Sequence, residues 1–236
     1  MESALGLQAF AAKVEGRGAV FRGGFLHVLD RPLLLVEYME SYPTRWLLAE
    51  IAEAYETAVN AGMGFAVSNV PPGVPQAYME REGIPYTAES FDRIGCPQPI
   101  IVLDMRAPRR MEPWEAASSR CIVIGGIMGD HPPRGRGLLL SMRPGVALRN
   151  LGGEQMSIHS TAWVTAMLYR GASLDSIRLA SPGIIEWETP YGSMTVELPY
   201  AYPVDPVEGR PVIPERVRRA IIRGSMWDEE VLHFSF

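Results

Sequence analysis

Asp130 opens a run, Asp-His-Pro-Pro-Arg-Gly-Arg, that sets a carboxylate within six residues of an imidazole and two guanidiniums. A carboxylate so placed can orient a cation by a bidentate contact and accept a proton from it. It can equally pair with Arg134 or Arg136 and shape the loop. His131 is a candidate base or a structural hydrogen-bonding group in a segment that Pro132 and Pro133 stiffen. Arg134 and Arg136 suit contacts to phosphate or to substrate carboxylates. Just upstream, Gly125, Gly126 and Gly129 bracket the end of the apolar run Cys121 to Met128. Glycines there admit close backbone approach to a ligand, or simply turn the chain. A second polar loop begins Arg149-Asn150-Leu151-Gly152-Gly153 and is expected to open directly into a helix, whose first N–H groups are free for a ligand. Glu37, Glu50 and Glu154 are further acids able to line a substrate side.

These loops need strands and helices to hold them. LLLVEY, from Leu33, has the look of a buried parallel strand. Thr44 is a plausible N-cap for a helix over 45–61, with Trp46, Leu47, Ile51, Ala54 and Ala58 on one face and Gly62 at its C-terminal cap. FAVSNV reads as a second strand, PIIVLDM as a third and CIVIGGIM as a fourth, with a short helix near Pro113 to Ala117. The next strand comes from either Leu138–Met142 or Ala147–Leu148. Met156 to Arg170 reads as a helix, ETPYGSMTVEL as a hairpin, and PERVRRAIIRG as a short amphipathic helix. Strands alternating with helices predict an α/β domain with a mainly parallel sheet. Ligands of such sheets sit outside the carboxyl ends of the strands. Residues before about Pro32 are rich in glycine and small residues, consistent with a dispensable leader, a disordered extension or an added strand.

The chain has 236 residues, 47% of them apolar, and a formal net charge of -5. That size suits one α/β domain with extensions. The acidic balance lacks the overall basic footprint of a general nucleic-acid binder, although a local arginine patch can hide within it. The two cysteines, Cys96 and Cys121, form no CxxC pair and point to neither a disulfide scaffold nor a zinc site. No metal cluster is expected, His159 reads as a satisfied helix histidine, and the Gly-rich loop lacks the lysine and spacing of a P-loop. No apolar stretch approaches membrane-spanning length and no signal peptide is evident, so a cytoplasmic protein without a membrane partner is the expectation.

The pair GGIMGDHPPRGR and LRNLGGEQMS resembles the core of the SPOUT-class predicted methyltransferases, in the branch related to the fungal SPOUT protein arginine methyltransferases. The likeness runs from about Leu34 to Pro214 and takes in LLLVEYMESYPTRWLLAEI and VELPYAYP. It implies a SPOUT-like α/β knot: a mainly parallel sheet with helices on both faces and a trefoil knot in the C-terminal half of the core. Residues 32–214 would form that domain, 1–31 an N-terminal extension and 215–236 a C-terminal helix and tail. It also implies S-adenosylmethionine (SAM) as cofactor, with S-adenosylhomocysteine (SAH) as product. Gly125, Gly126, Ile127, Gly129, Asp130, Arg149, Asn150, Leu151, Gly152, Gln155 and Met156 would surround it, largely through main-chain contacts, with Gln155 and Met156 in the first turn of a helix. A Cβ at Gly152 would then block the cofactor while leaving the fold intact.

On this resemblance Asp130 is the catalytic acid, with Glu37 and Glu154 as the other candidates, while His131, Arg134 and Arg136 face the substrate. The implied activity is N-methylation of arginine in a ribosomal protein. Methylation of ribosomal or transfer RNA, and a non-catalytic SAM-binding factor associated with the ribosome, are the other readings. The protein would work as a monomer or as a knot-mediated homodimer.

Overall fold

A computed structural model of the chain describes residues 19–22, 25–28, 30–128, 140 and 142–223. Within the first thirty residues, β1 (Ala19–Arg22) and β2 (Phe25–Val28) pair as an antiparallel hairpin. The domain proper starts with β3 (Leu33–Tyr38), six residues all buried. Helix α1 (Arg45–Ala61) follows. The Thr44 side chain accepts from the Leu47 amide and Gly62 closes the helix in the left-handed region at φ 89°. Its buried face carries Leu47, Leu48, Ile51, Ala54, Tyr55 and Ala58, the stripe read from the sequence extended by its neighbours. Then come β4 (Gly64–Ser68), α2 (Val74–Glu82), β5 (Ile100–Leu103), α3 (Pro113–Ser118) and β6 (Cys121–Gly126).

The fifth strand is β7 (Val146–Arg149), so the second of the two candidate segments supplies it. Most of Leu138–Met142 lies outside the described residues. The five strands form one parallel sheet in the order β4-β3-β6-β5-β7. Strands β3 and β6, at its heart, are nearly continuous apolar runs because both faces are covered. On one face Leu34, Val36, Ile122 and Ile124 meet α1 and α4 (Ile158–Tyr169); on the other, Leu33, Leu35, Cys121 and Val123 meet Phe91, Ile94 and Leu140.

Beyond α4 the chain forms β8 (Leu179–Ala180), a hairpin of β9 (Gly183–Thr189) and β10 (Gly192–Leu198), and β11 (Tyr202–Pro203), which pairs with β8. The hairpin reaches further upstream than ETPYGSMTVEL, since Gly183 pairs with Leu198. Helix α5 (Glu215–Ile222) packs Val217, Ala220 and Ile221 against Trp46 and Ala49 of α1. Arg216 on α5 lies within ion-pair distance of Glu53 and Glu56 of α1 and Glu82 of α2.

Two of the boundaries that differ from the sequence reading bear on the site. Strand β6 ends at Gly126, two residues early. Its last rung is Tyr38 with Gly126, and the Met128 amide turns away to donate to the Glu40 carboxylate at 2.8 Å. Helix α4 begins at Ile158, because Ser157 is its N-cap and accepts from the Ser160 amide at 3.2 Å. Gln155 and Met156 therefore precede the helix, where the Gln155 carbonyl accepts from the Ala201 amide at 2.7 Å. Among the described residues no helix is long and apolar enough to cross a membrane, and no group of three metal-ligating side chains occurs.

Candidate functional site

Parallel strands release their connections at one edge, and here the carboxyl edge gathers the ends of β3, β6, β5 and β7. The two loops singled out from the sequence both leave from this edge, one from central β6 and one from the outermost strand β7. Gly129, Asp130, His131, Arg134 and Arg136 lie outside the described residues. The remaining candidate residues are placed.

Gly125 is half-buried at the end of β6, and a Cβ there would only touch the side chains of Ile127 and Leu140 at 3.4 to 3.6 Å. Ile127 is half-buried beside it. Gly126 has a different reason to be glycine. A Cβ on it would sit 2.8 Å from the Glu37 carbonyl oxygen and 3.0 Å from Val36 Cγ1. Close packing of β6 on β3 demands that glycine, whatever binds above it.

Glu37 does not line an open cleft. It is 4% exposed, and its carboxylate accepts from the Ser68 and Ser90 hydroxyls and from the Phe91 amide at 3.0 Å. Three donors leave little capacity for a substrate; the acid anchors the 87–91 segment over the end of β4. The catalytic expectation for Glu37 is corrected on that ground. Burial, and then the nearby Glu40 carboxylate, hold the Tyr38 phenol well above its ordinary range. Glu50 is fully buried on the inner face of α1 rather than at a substrate face. Its carboxylate accepts from Trp46 Nε1 at 3.1 Å and from the His159 amide in the first turn of α4 at 2.7 Å. Such an acid satisfies an orphan helix amide and gains from the helix dipole. Burial nonetheless pushes its carboxyl above the usual range.

The second loop is pinned more firmly than its glycines suggest. Arg149 turns its guanidinium onto the buried Glu115 of α3, with Nε at 2.8 and 2.9 Å from the two carboxylate oxygens. The pair lowers the Glu115 carboxyl and raises the Arg149 guanidinium. Glu115 also accepts from the Glu112 amide at 3.1 Å, capping α3. Asn150 donates its amide to the Arg109 carbonyl, accepts from the Met111 amide, and donates Nδ2 to the Ala107 carbonyl. Its main chain is thus committed to the 107–111 segment rather than to an open cleft. Leu151 drops its side chain into the core at 7% exposure, leaving only its backbone for a ligand.

Gly152 follows at φ 116°, its amide donating to Asn150 Oδ1 at 3.0 Å, with nothing within 4 Å of where a Cβ would stand. The expectation that a Cβ at Gly152 leaves the fold intact is therefore corrected: the left-handed backbone disfavours any side chain there. Gly153 is equally open, and Glu154 is exposed on the same loop. Met156 packs against the core beside the start of α4.

His159 is a third correction. It is 3% exposed, and its Nδ1 has no hydrogen-bond partner among the described residues. Burial depresses its pKa to about 4, so it is neutral at pH 7 and no ready proton carrier.

The sequence reading missed the 104–111 segment, which cradles the Arg149–Asn150 turn, and Glu40, which fixes the exit of β6. Glu112 followed three residues later by Glu115 was the available sign of an acid-capped helix. No spacing rule pairs Glu115 with Arg149 across 34 residues.

Residues 33–226 match the family described as protein arginine N-methyltransferase SFM1-like. The protein arginine N-methyltransferase SFM1 of Saccharomyces cerevisiae is 32% identical over 120 residues, a match that covers 49% of this chain and 54% of that protein. The chain thus spans about half the length of this curated relative. Among solved structures, the yeast arginine methyltransferase SFM1 complexed with SAM superposes with a TM-score of 0.71 at 24% identity, covering 84% of this chain and 92% of the other. The same protein complexed with SAH gives 0.67, again at 24% identity, over 80% and 93%. These two likenesses establish the fold: a parallel sheet with helices packed on it.

Proposed function

Because the chain belongs to the SFM1-like protein arginine N-methyltransferase family, we propose that it transfers a methyl group from SAM to a guanidinium nitrogen of a protein arginine, releasing SAH. The observation that carries this reading is the family match over 33–226, which spans the whole parallel sheet and both loops at its carboxyl edge. The residues present fit the cofactor. The Gly152–Gly153 backbone borders open space, while Leu151 beneath is anchored in the core and Arg149 and Asn150 are tied to α3 and to 107–111. That is a rigid rim with an open upper side, the arrangement a small-molecule site at a strand edge requires. The β6 exit at Gly125 and Ile127 would close the other side. A knot through this part of the chain belongs to the same reading.

SAM supplies an electrophilic methyl group on a sulfonium. The protein must present a nucleophile in line with it. A guanidinium is a poor one, since its lone pairs are delocalised and its pKa exceeds about 12. A carboxylate at the acceptor side can hold the guanidinium by a two-point contact. It then takes the proton that the nitrogen sheds as the new C–N bond forms. Asp130 is our assignment for that acid, on its place next to the strand-end glycines in the sequence. Glu154, exposed on the opposite loop, is the second choice now that Glu37 is enclosed. His131, Arg134 and Arg136 are assigned to the protein substrate. A ribosomal protein as acceptor, a cytoplasmic site of action and a monomer or knot-mediated homodimer complete the proposal.

The test is incubation of the purified chain with methyl-labelled SAM and separated protein and RNA fractions of a cell extract. Label in arginine of a protein band supports the reading. Label confined to RNA, or SAM binding without transfer to either fraction, overturns it.

A further inference from the structure

Helices α1, α2 and α5 enclose a groove of about 480 Å³ on the outer face of the domain, and arginines dominate its lining. Arg45 stands at the first residue of α1; Arg219 and Arg223 project from the end of α5; Arg81 comes from α2 beside Tyr78. Two acids, Glu53 and Glu215, share the lining. Arg216 lies deeper, held by the carboxylates of Glu53, Glu56 and Glu82, and is thereby neutralised. Arg219, 67% exposed, pairs among the described residues with Glu215 at 2.8 Å, itself 56% exposed, a surface pair worth little. Neither Arg45 nor Arg223 forms an ion pair among the described residues. An acidic chain that collects arginines in one groove has a local field opposite to its net charge.

The groove's position gives that field a use. Arg216 of α5 meets Glu53 and Glu56 of α1, and Val217, Ala220 and Ile221 join the cluster that holds Trp46 and Ala49. Arg45, Arg219 and Arg223 line the same groove, and Arg45, the first residue of α1, stands a short loop away from the carboxyl end of β3. Met128, at the exit of β6, packs into the same apolar cluster as Trp46, Ala49 and Val217. Through Arg45 the groove thus reaches toward the carboxyl edge where the candidate site lies.

We propose that this groove is a docking surface for an acidic protein segment, one that flanks the methyl acceptor; this rests on the proposed function. The unpaired guanidiniums favour carboxylates, which arginine grips in a planar fork. Glu53 and Glu215 share the lining, so a segment with spaced carboxylates suits the groove better than the unbroken charge of a phosphate backbone, and RNA is the poorer occupant. An acceptor arginine approaching this face alone would meet like charge at Arg45. Acidic residues beside the acceptor remove that cost and set its direction.

The probe is a fluorescein-labelled ten-residue peptide of alternating glutamate and glycine, titrated with the full chain and followed by anisotropy, beside a labelled ten-nucleotide oligouridine. The peptide is expected to bind in a salt-sensitive manner. The Arg45→Glu/Arg223→Glu double variant should weaken it about tenfold, the scale of two modest charge contacts reversed. Arg210→Glu, at an exposed pair elsewhere, should leave it unchanged. SAM affinity by calorimetry should be the same in all three proteins, which separates this test from the cofactor reading. If the double variant melts early, Arg45→Ala/Arg223→Ala replaces it, with a smaller loss expected. Peptide binding indifferent to these arginines overturns the proposal, and so does tighter, arginine-dependent binding of the oligouridine.

Discussion

The backbone amide of His159 donates to the buried carboxylate of Glu50 across 2.7 Å and 109 residues of sequence. One contact ties the first turn of α4 to α1, and each of the two residues carries a buried titratable side chain. Their responses to pH have opposite signs.

Glu50 has a folded pKa raised by burial. Its stabilising contribution is present below the unfolded value of about 4.3 and is lost as pH rises through the folded one. Glu50→Gln should flatten that decline in urea unfolding measured from pH 5 to 9. The variant also turns an amide nitrogen toward either Trp46 Nε1 or the His159 amide, so at pH 5 it should be less stable by about 1–3 kcal/mol. An unchanged slope would show that Glu50 stays ionised throughout.

His159 behaves in the reverse sense. Its folded pKa of about 4 lies below the unfolded value of about 6.5. Its contribution is complete above pH 6.5 and is lost as pH falls toward 4, up to about 3 kcal/mol in all. His159→Phe should reduce the acid sensitivity of the midpoint in this window. A variant as acid-sensitive as the parent would assign the loss to other groups.

Glu115→Gln leaves Arg149 partly buried with its fork unmatched. A loss of about 2–3 kcal/mol is expected, toward the lower end of the cost of breaking a buried pair because Arg149 keeps some contact with water. The loosened 149–153 turn should also weaken SAM binding several-fold by calorimetry. Glu115 has a lowered carboxyl, so its benefit is present above about pH 4.3 and lost as pH falls further. Full SAM affinity in the variant would separate the ion pair from the rim of the site.

The neighbouring glycines of β6 should part company. Gly126→Ala forces backbone atoms of β3 aside and should cost about 1–3 kcal/mol. Gly125→Ala meets only movable side chains and should be nearly silent in a thermal melt, though its Cβ would face the proposed cofactor side. Equal melting temperatures for the two variants would contradict the packing account.

Asp130→Asn preserves shape while removing the charge proposed to hold and deprotonate the acceptor. Methyl transfer should fall by about 10²-fold, the usual scale for losing a general base. SAM affinity should stay within a few-fold. A wild-type transfer rate would move the assignment to Glu154, and a collapse in SAM affinity would place Asp130 against the cofactor.

The architecture was legible because its signals are local. Thr44 and Gly62 bracket α1, and the unbroken apolar runs of β3 and β6 mark strands buried on both faces. Strand order was not, since nothing near Leu33 announces Cys121 as a partner. The site was half legible. Glycine, arginine and asparagine at the β7 exit stood out, yet what holds them is tertiary: Glu115 from α3 and the 107–111 backbone. Glu37 was misread for the same reason. A carboxylate at a strand end looks reactive until Ser68, Ser90 and Phe91 are folded around it. The start of α4 was placed early because Gln155 and Met156 suit a helix, and only Ala201, far downstream, draws them into an extended pairing.

Strand β3 sits between β4, which follows it closely, and β6, whose first residue lies 88 positions later, Leu33 facing Cys121. During synthesis the first strand therefore keeps one edge and its apolar side chains bare until more than half of the chain has been made. Pairings this distant slow folding and prolong the exposure of sticky edges. A break in the chain anywhere between α1 and β6 would leave neither piece with a complete sheet. The two pieces should be recoverable only by folding together, as complementing fragments.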